Sequence, residues 1–267
     1  MKLKSPWLVP LHEKVRLSRI DTTASGGLTQ ETAKPLLIKH REQLTKLQDV
    51  LYAGQQRAVL IVLQGMDTAG KDGTISHIFS GINPQGCDVT AFKVPTPLEA
   101  RHDFLWRCHN AVPPRGMIGI FNRSHYEDVL SPVVHQLMSR KVARQHMDDI
   151  NEFEDSLADN GTLILKFFLH ISRDEQKRRL QARLADPDKH WKFQAGDLKE
   201  REFWPQYQEA YEDVLNHTNR KHAPWFVIPA DHKWFRNVAI SNILADAMST
   251  LKLTYPAPTM DIATIKI

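Results

Sequence analysis

Six apolar residues in a row, AVLIVL at positions 58–63, give way to a polar, glycine-bearing break, after which Ile75, Ile78, Phe79 and Ile82 recur at helical spacing. A short unbroken run of branched apolar residues predicts a strand buried on both faces, and the three-to-four spacing behind it predicts a helix. The same reading predicts further strands at 88–94, 116–122, 162–169 and 225–228, with helical patterns between them. Upstream, Leu37, Leu44, Leu47 and Leu51 place an amphipathic helix from about Lys34 towards the first strand. Strands alternating with helices imply crossover connections and a parallel sheet, hence an α/β fold whose ligands lie at the carboxyl ends of the strands. Residues 1–30, punctuated by DTTASGG, are read as an irregular N-terminal extension, 31–255 as the domain itself and 256–267 as a C-terminal tail. A chain of 267 residues suits one such domain with extensions better than two.

The break after the first strand reads GMDTAGKDGT. Gly65, Gly70 and Lys71 have the GxxxxGK spacing of a phosphate-binding loop, in which backbone N–H groups wrap a phosphate and the lysine meets its outer oxygens. The strand before it and the helix N-terminus after it complete the context, and the helix end adds partial positive charge. Ala69, Gly73 and Thr74 are counted with Gly65 and Gly70 as phosphate contacts. The Ser or Thr that usually follows the lysine to ligate magnesium is replaced by Asp72, and Asp67 stands inside the loop. A carboxylate beside bound phosphate repels it by on the order of several kcal/mol unless a cation lies between them. Asp67 is therefore read as placing Mg²⁺, with Mn²⁺ as the alternative, against phosphate oxygens. Asp72 has two readings, an acid facing substrate or metal and a first-turn acid favoured by the helix dipole.

The stretch GMIGIFNRSHYEDVL, 116–130, reads as a strand ending in Asn122 and Arg123, then a polar turn and a helix start. Phosphate-loop enzymes often end the neighbouring strand with an aspartate that positions magnesium. Here Asn122 holds that place and the nearest acids are Glu127 and Asp128, of which Glu127 is taken as the metal acid. The guanidinium fork of Arg123 suits phosphate oxygens. Behind the second strand, Lys93, Glu99 and Arg107 are candidate acceptor contacts, whereas Leu98, Phe104 and Leu105 read as packing. Residues 183–202, RLADPDKHWKFQAGDLKERE, combine helix breaks with dense mixed charge and form a candidate lid. With the helix before it, this region supplies Arg178, Arg179, Arg183, Lys189, Lys192 and Arg201. Phosphoryl transfer needs alignment and charge neutralisation more than covalent help, so such cations suit it. Of the adjacent Arg178 and Arg179, one is expected to face solvent.

Composition changes this picture little. With 42% hydrophobic and 25% charged residues the chain is an ordinary globular one. A net charge of +4 fits an anionic partner, whether nucleotide, polyphosphate or nucleic acid. Basic residues interleaved with stacking aromatics are lacking, which argues against nucleic acid, and no NKxD sequence supports a guanine-nucleotide switch. Cys87 and Cys108 have no CxxC or metal-ligand spacing and read as small buried residues in a reducing compartment. No stretch approaches the ~20 apolar residues that span a bilayer, and the N-terminus lacks a signal-peptide core, so the expectation is a cytoplasmic protein without a membrane partner.

Together, GMDTAGKDGT, KVPTPLEARHDFLWR, FNRSHYEDVL and RLADPDKHWKFQAGDLKEREFWPQY resemble the second polyphosphate kinase family over residues 10–255. The resemblance implies a P-loop kinase fold with a five-stranded parallel sheet flanked by helices and a helical lid. It implies phosphoryl transfer between inorganic polyphosphate and nucleoside mono- and diphosphates. It also implies Asp67 and Lys71 as the metal and phosphate residues of the loop, Arg123 on phosphate, and Arg178, Arg183, Lys189 and Lys192 along the polyanion. Homo-oligomers, dimers or tetramers, are common in such a family. One departure is informative: many members carry Asp where this chain has Asn122, and Asn where it has Glu127. That exchange resembles the branch that phosphorylates both AMP and ADP, and it keeps one carboxylate near the metal. The rivals are an ATP-dependent kinase sharing the loop and lid, against which the extended run of lid cations weighs, and a non-catalytic nucleotide-binding module.

Overall fold

The computed structural model describes residues 4–193, 195–261 and 265. Along the chain run α1 (Gln30–Gly54), β1 (Ala58–Gln64), α2 (Lys71–Ile78), β2 (Cys87–Ala91), α3 (Trp106–Ala111), β3 (Ile118–Asn122), α4 (Glu127–Val134) and α5 (Arg140–Asp159). They continue with β4 (Thr162–His170), α6 (Arg173–Leu184), α7 (Ala195–Glu202), α8 (Trp204–His217), β5 (Trp225–Pro229) and α9 (Lys233–Ser249). The strands form one five-stranded parallel sheet in the order β2-β3-β1-β4-β5.

Burial explains the strand sequences. Every residue of β1 and β5 is buried, as their unbroken apolar runs require, whereas β2, at an edge, is half exposed. On one face Val59, Ile61, Leu63, Leu165 and Phe167 pack with residues of α1 and α9; on the other Leu60, Val62, Ile164 and Phe168 pack with residues of α4, α5 and α8. The chain steps from β1 out to β2, returns through β3 to one side of β1, and crosses to β4 on its other side. That reversal opens a crevice at the carboxyl end of β1, where the glycine-bearing break lies.

All five expected strands are present, with ends set by partners rather than by local sequence. β2 stops at Ala91, opposite Asn122, because β3 ends there; Phe92 donates one last hydrogen bond to Asn122 O at 3.1 Å before the chain leaves the sheet. β3 begins at Ile118, two residues later than expected, since Gly116 has φ +92°. The first helix begins at Gln30, earlier than the leucine spacing indicates, because Thr29 and Thr32 form a reciprocal capping box. The N-terminal extension is irregular but packed: Val9 N donates to Trp225 O and Val227 N to Trp7 O, both at 2.9 Å, which covers the outer edge of β5. The charged region expected as a lid is helical: α6 leads through a 3₁₀ turn, Pro187–Lys192, into α7.

Candidate active site

The loop between β1 and α2 is shaped by close approaches. Gly70, the N-cap of α2, has φ +104°, and a Cβ there would collide with the Arg236 guanidinium. A Cβ on Gly65 would sit 2.9 Å from Leu169 O and 3.0 Å from the Ala69 methyl. Thr74, fully buried, donates its hydroxyl to Gly70 O at 3.0 Å. Lys71 is buried as well, with Nζ donating to Gly65 O at 2.7 Å. Burial, then the nearby Arg123, pushes its pKa down to about 8, against the pull of Asp67, Glu127 and Asp72. A buried ammonium held only by carbonyls is ready to accept an anion.

The two acids singled out in the sequence meet on one side chain. Arg123 Nη2 lies 2.5 Å from Asp67 Oδ1, and its Nη1 3.3 Å from Glu127 Oε2. Arg123 follows β3 directly and has φ +63°, as does Thr68 in the loop; such conformations in non-glycine residues cost on the order of 1–3 kcal/mol and gather where function holds them. In the orientation that satisfies its surroundings, the Gln64 amide donates to Glu127 Oε1 at 3.1 Å. Asp67, just beyond β1, and Glu127, the first residue of α4, thus present oxygens to a single cationic position. Magnesium sites use one or two such carboxylates with water and substrate phosphate completing the shell, so the donor set fits that metal. Among the described residues no cluster of three or more His, Cys, Asp or Glu that could hold a metal ion is present.

Asp72 takes a different position. It accepts from Asn122 Nδ2 at 2.8 Å and from Lys192 Nζ at 3.4 Å, linking the first turn of α2 to the end of β3 and to the 3₁₀ turn after α6. Burial works to raise its pKa, but Asn122 and Lys192 hold it below the usual carboxylate range. Arg183 donates to Lys192 O at 3.0 Å and so braces the 3₁₀ turn, while Lys189 pairs with Asp186 at 2.5 Å on the surface. Arg201 donates to Gln176 Oε1 at 2.8 Å, and Gln176 donates to Asp67 O at 3.2 Å, which ties α7 through α6 to the loop.

The remaining candidates are placed apart. Arg107 is buried, donates to Lys93 O and pairs with Asp128, both at 2.8 Å, and lies over the Phe92 ring; it joins the β2–α3 connection to α4. Glu99 accepts from Thr96 N at 2.7 Å and caps its own turn. The Lys93 side chain is exposed. Arg178 is 71% exposed and pairs with Glu175, whereas Arg179, 8% exposed, turns under the loop.

The profile of the family described as Polyphosphate kinase 2 (PPK2) matches residues 27–255. The chain belongs to the polyphosphate kinase 2 family. It is 50% identical over 246 residues to the AMP/ADP-polyphosphate phosphotransferase of Meiothermus ruber, covering 92% of each chain. To the ADP-polyphosphate phosphotransferase of Rhodopseudomonas palustris it is 44% identical over 273 residues, covering 97% of this chain and 94% of the relative. The crystal structure of Polyphosphate Kinase 2 from Arthrobacter aurescens superposes with a TM-score of 0.92 at 42% identity, over 96% of this chain and 92% of that one. The chain is accordingly a kinase of the phosphoryl-transfer class, and polyphosphate kinase 2 enzymes generally need a divalent metal.

Sequence reasoning about this polyphosphate kinase 2 chain missed Gln176 and Arg236 and, on the resemblance, took Arg178 rather than Arg179, whereas it is Arg179 that lies against the loop. The helical phase carried the answer for α6: Gln176, Arg179 and Leu180 share a face, and Gln176 and Leu180 are buried. For Arg236 the signals were weaker, an arginine directly behind the Trp234–Phe235 pair at the start of α9 and a second glycine, Gly73, after the lysine. Among the described residues no helix is long and apolar enough to cross a membrane.

Proposed function

We propose that this chain transfers the terminal phosphoryl group of inorganic polyphosphate to AMP and to ADP, giving ADP and ATP, and runs in both directions. The observation that carries the reading is the meeting of Asp67 and Glu127 on Arg123 beside the lysine loop. With Asn122 at the strand end, Glu127 supplies the second acid from the start of α4. The relative from Meiothermus ruber, named for both acceptors, supports the dual specificity.

In this reading polyphosphate lies under the lid, along Arg178, Arg183, Lys189, Lys192 and Arg201, with its end group on the loop from Gly65 to Thr74. Asp67 and Glu127 would hold Mg²⁺, with Mn²⁺ able to replace it. The metal, when bound, shields phosphate from the two acids and draws charge from the transferred group. Lys71 leaves the Gly65 carbonyl for the phosphate oxygens, and Arg123 turns from the two acids to the charge that develops in transfer. Lys93, Glu99, Arg107 and Asp128 border the acceptor side, either in contact or by shaping the β2–α3 connection. The acceptor phosphate is already ionised at neutral pH, so no strong general base is required. A dimer or tetramer, and a cytoplasmic setting in keeping with the free Cys87 and Cys108, complete the proposal; light scattering of the purified protein checks the assembly.

The test is ATP formation from AMP, and separately from ADP, with polyphosphate and Mg²⁺, against controls without polyphosphate. ATP from both acceptors is expected. ATP from ADP alone would remove the argument drawn from Asn122 and Glu127, and product only when ATP is the donor would replace polyphosphate with ATP.

A further inference from the structure

Two arginines lie beneath the phosphate loop, and they differ in one respect. Arg179 of α6 has a carboxylate partner: its Nε donates to Glu175 Oε1 at 2.6 Å, while the other nitrogens hold the carbonyls of Thr68, Ala69, Ala230 and Asp231. Arg236 of α9, 2% exposed, has none among the described residues. Its Nη1 donates to Ala69 O at 3.2 Å, and Nε and Nη2 share the Asn237 side-chain oxygen at 3.2 and 2.9 Å. Buried arginines are ordinarily paired, because an uncompensated charge removed from water is costly. Burial, and then the neighbouring Arg179, disfavour its charged form. Burial, then Arg179 and Arg236, likewise disfavour the charged form of Lys233, against the pull of Glu175.

The loop is built around this guanidinium. A methyl group on Gly70 would collide with it, and one on Gly73 would come within 3.4 Å of Nη2, so both glycines of AGKDG leave it room. Ala69 O accepts from both Arg179 and Arg236, and among the described residues no peptide is cis. The N–H of Gly70 therefore points away from the two arginines, on the opposite edge of the same peptide. Arg236 orients one wall of the loop while adding positive charge behind it.

We propose that Arg236 is a positioning residue for the bound phosphate, an unpaired buried cation on the outer side of the loop whose counter-charge is the polyanion on the inner side. This rests on the reading of residues 65–71 as a phosphate site. A cation kept for a ligand burdens the free protein and strengthens the complex, the usual trade between stability and function.

The experiment measures tripolyphosphate binding by calorimetry, and melting temperature with and without tripolyphosphate, for the wild type and the variants Arg236→Met, Arg236→Gln and Arg236→Lys. Arg236→Met is expected to bind tripolyphosphate about 10- to 100-fold more weakly, as for loss of an interaction with a charged group. Without ligand it should melt no lower than the wild type, a result that a merely structural arginine would not produce. Arg236→Gln, which keeps donors without charge, should lose a similar affinity, and Arg236→Lys should keep most of it. Either neutral variant binding within about twofold of the wild type, or Arg236→Lys losing as much as Arg236→Gln, would overturn the inference. If Arg236→Met does not fold, Arg236→Gln decides it by the same criterion. A wild-type protein that does not bind tripolyphosphate would overturn the phosphate-site reading itself.

Discussion

On the face of the sheet covered by α4, α5 and α8, Lys166 is closed in with all that a buried ammonium needs, whereas at the phosphate loop Lys71 and Arg236 are closed in without it. Lys166 Nζ donates to Glu154 Oε2 at 2.5 Å, Thr218 O at 2.7 Å and Tyr126 OH at 2.9 Å. Glu154 in turn accepts from Tyr126 OH at 2.8 Å and meets His125 Nε2 at 3.2 Å. Burial works to raise the Glu154 pKa, but Lys166 and His125 hold it below the usual value; burial pushes Lys166 down to about 8, so both remain charged at neutral pH. This network lies under the turn that carries Arg123 and Glu127 and joins β4, α4, α5 and the end of α8. Lys71, with a similarly depressed pKa, has only carbonyls within reach, and Arg236 a carbonyl and an amide. A completed set of partners marks scaffold, and an incomplete one, beside a cradle of glycines, marks where a ligand supplies the rest.

The comparison predicts its largest effect on the scaffold side. Lys166→Met leaves Glu154 buried and unpaired and should cost about 3–5 kcal/mol in urea unfolding, while adding Glu154→Leu to it should recover most of that loss. A single variant within about 1 kcal/mol of the wild type would show that the network is not the anchor it is taken for. At the loop the pattern inverts. Lys71→Ala should leave stability nearly unchanged and lower kcat by about 10²- to 10³-fold, with Asp67→Asn in the same range; near-wild-type rates in both would dissolve the site.

The pH dependence sharpens the contrast further. In the proposed reading Lys71 meets phosphate as an ammonium, and its pKa in the free protein is lowered to about 8. Activity is therefore present below that value and lost above it, so kcat/KM should fall about tenfold per pH unit beyond pH 8. Bound polyanion stabilises the ammonium, so the same limb in kcat should lie at higher pH. A kcat/KM profile flat to pH 10 would contradict this. The smallest effect belongs to the exposed lid. Lys189→Gln with Lys192→Gln should raise KM for long polyphosphate by a few-fold and reduce its salt dependence, with KM for nucleotide unchanged. Equal rises for both substrates would assign the two lysines to lid closure instead.

Much of the fold was legible because its causes are local. Unbroken apolar runs such as AVLIVL can only be buried, and helical spacing between them leaves crossover connections and a parallel sheet as the outcome. The strand, glycine-bearing loop and helix start around Gly65, Gly70 and Lys71 were legible for the same reason, since these residues lie within one short stretch of chain. Strand ends were not, because β2 stops where β3 no longer offers a partner. The adjacent Arg178 and Arg179 read alike as a dipeptide; the packing of α6 on the loop sends one to solvent and the other under Thr68 and Ala69.

The sequence by itself determined the class of this protein: an α/β kinase whose first loop has the GxxxxGK spacing and carries its own acid. Only the tertiary structure decided which charges are compensated. Asp67 and Glu127 share Arg123 because β1 and β3 are neighbours in the sheet, Glu154 closes on Lys166 because α5 crosses β4, and Arg236 reaches Gly70 from the far end of the chain. Electrostatic partnership depends on separation in space and on exclusion of water, and neither quantity is written along a chain until it has folded.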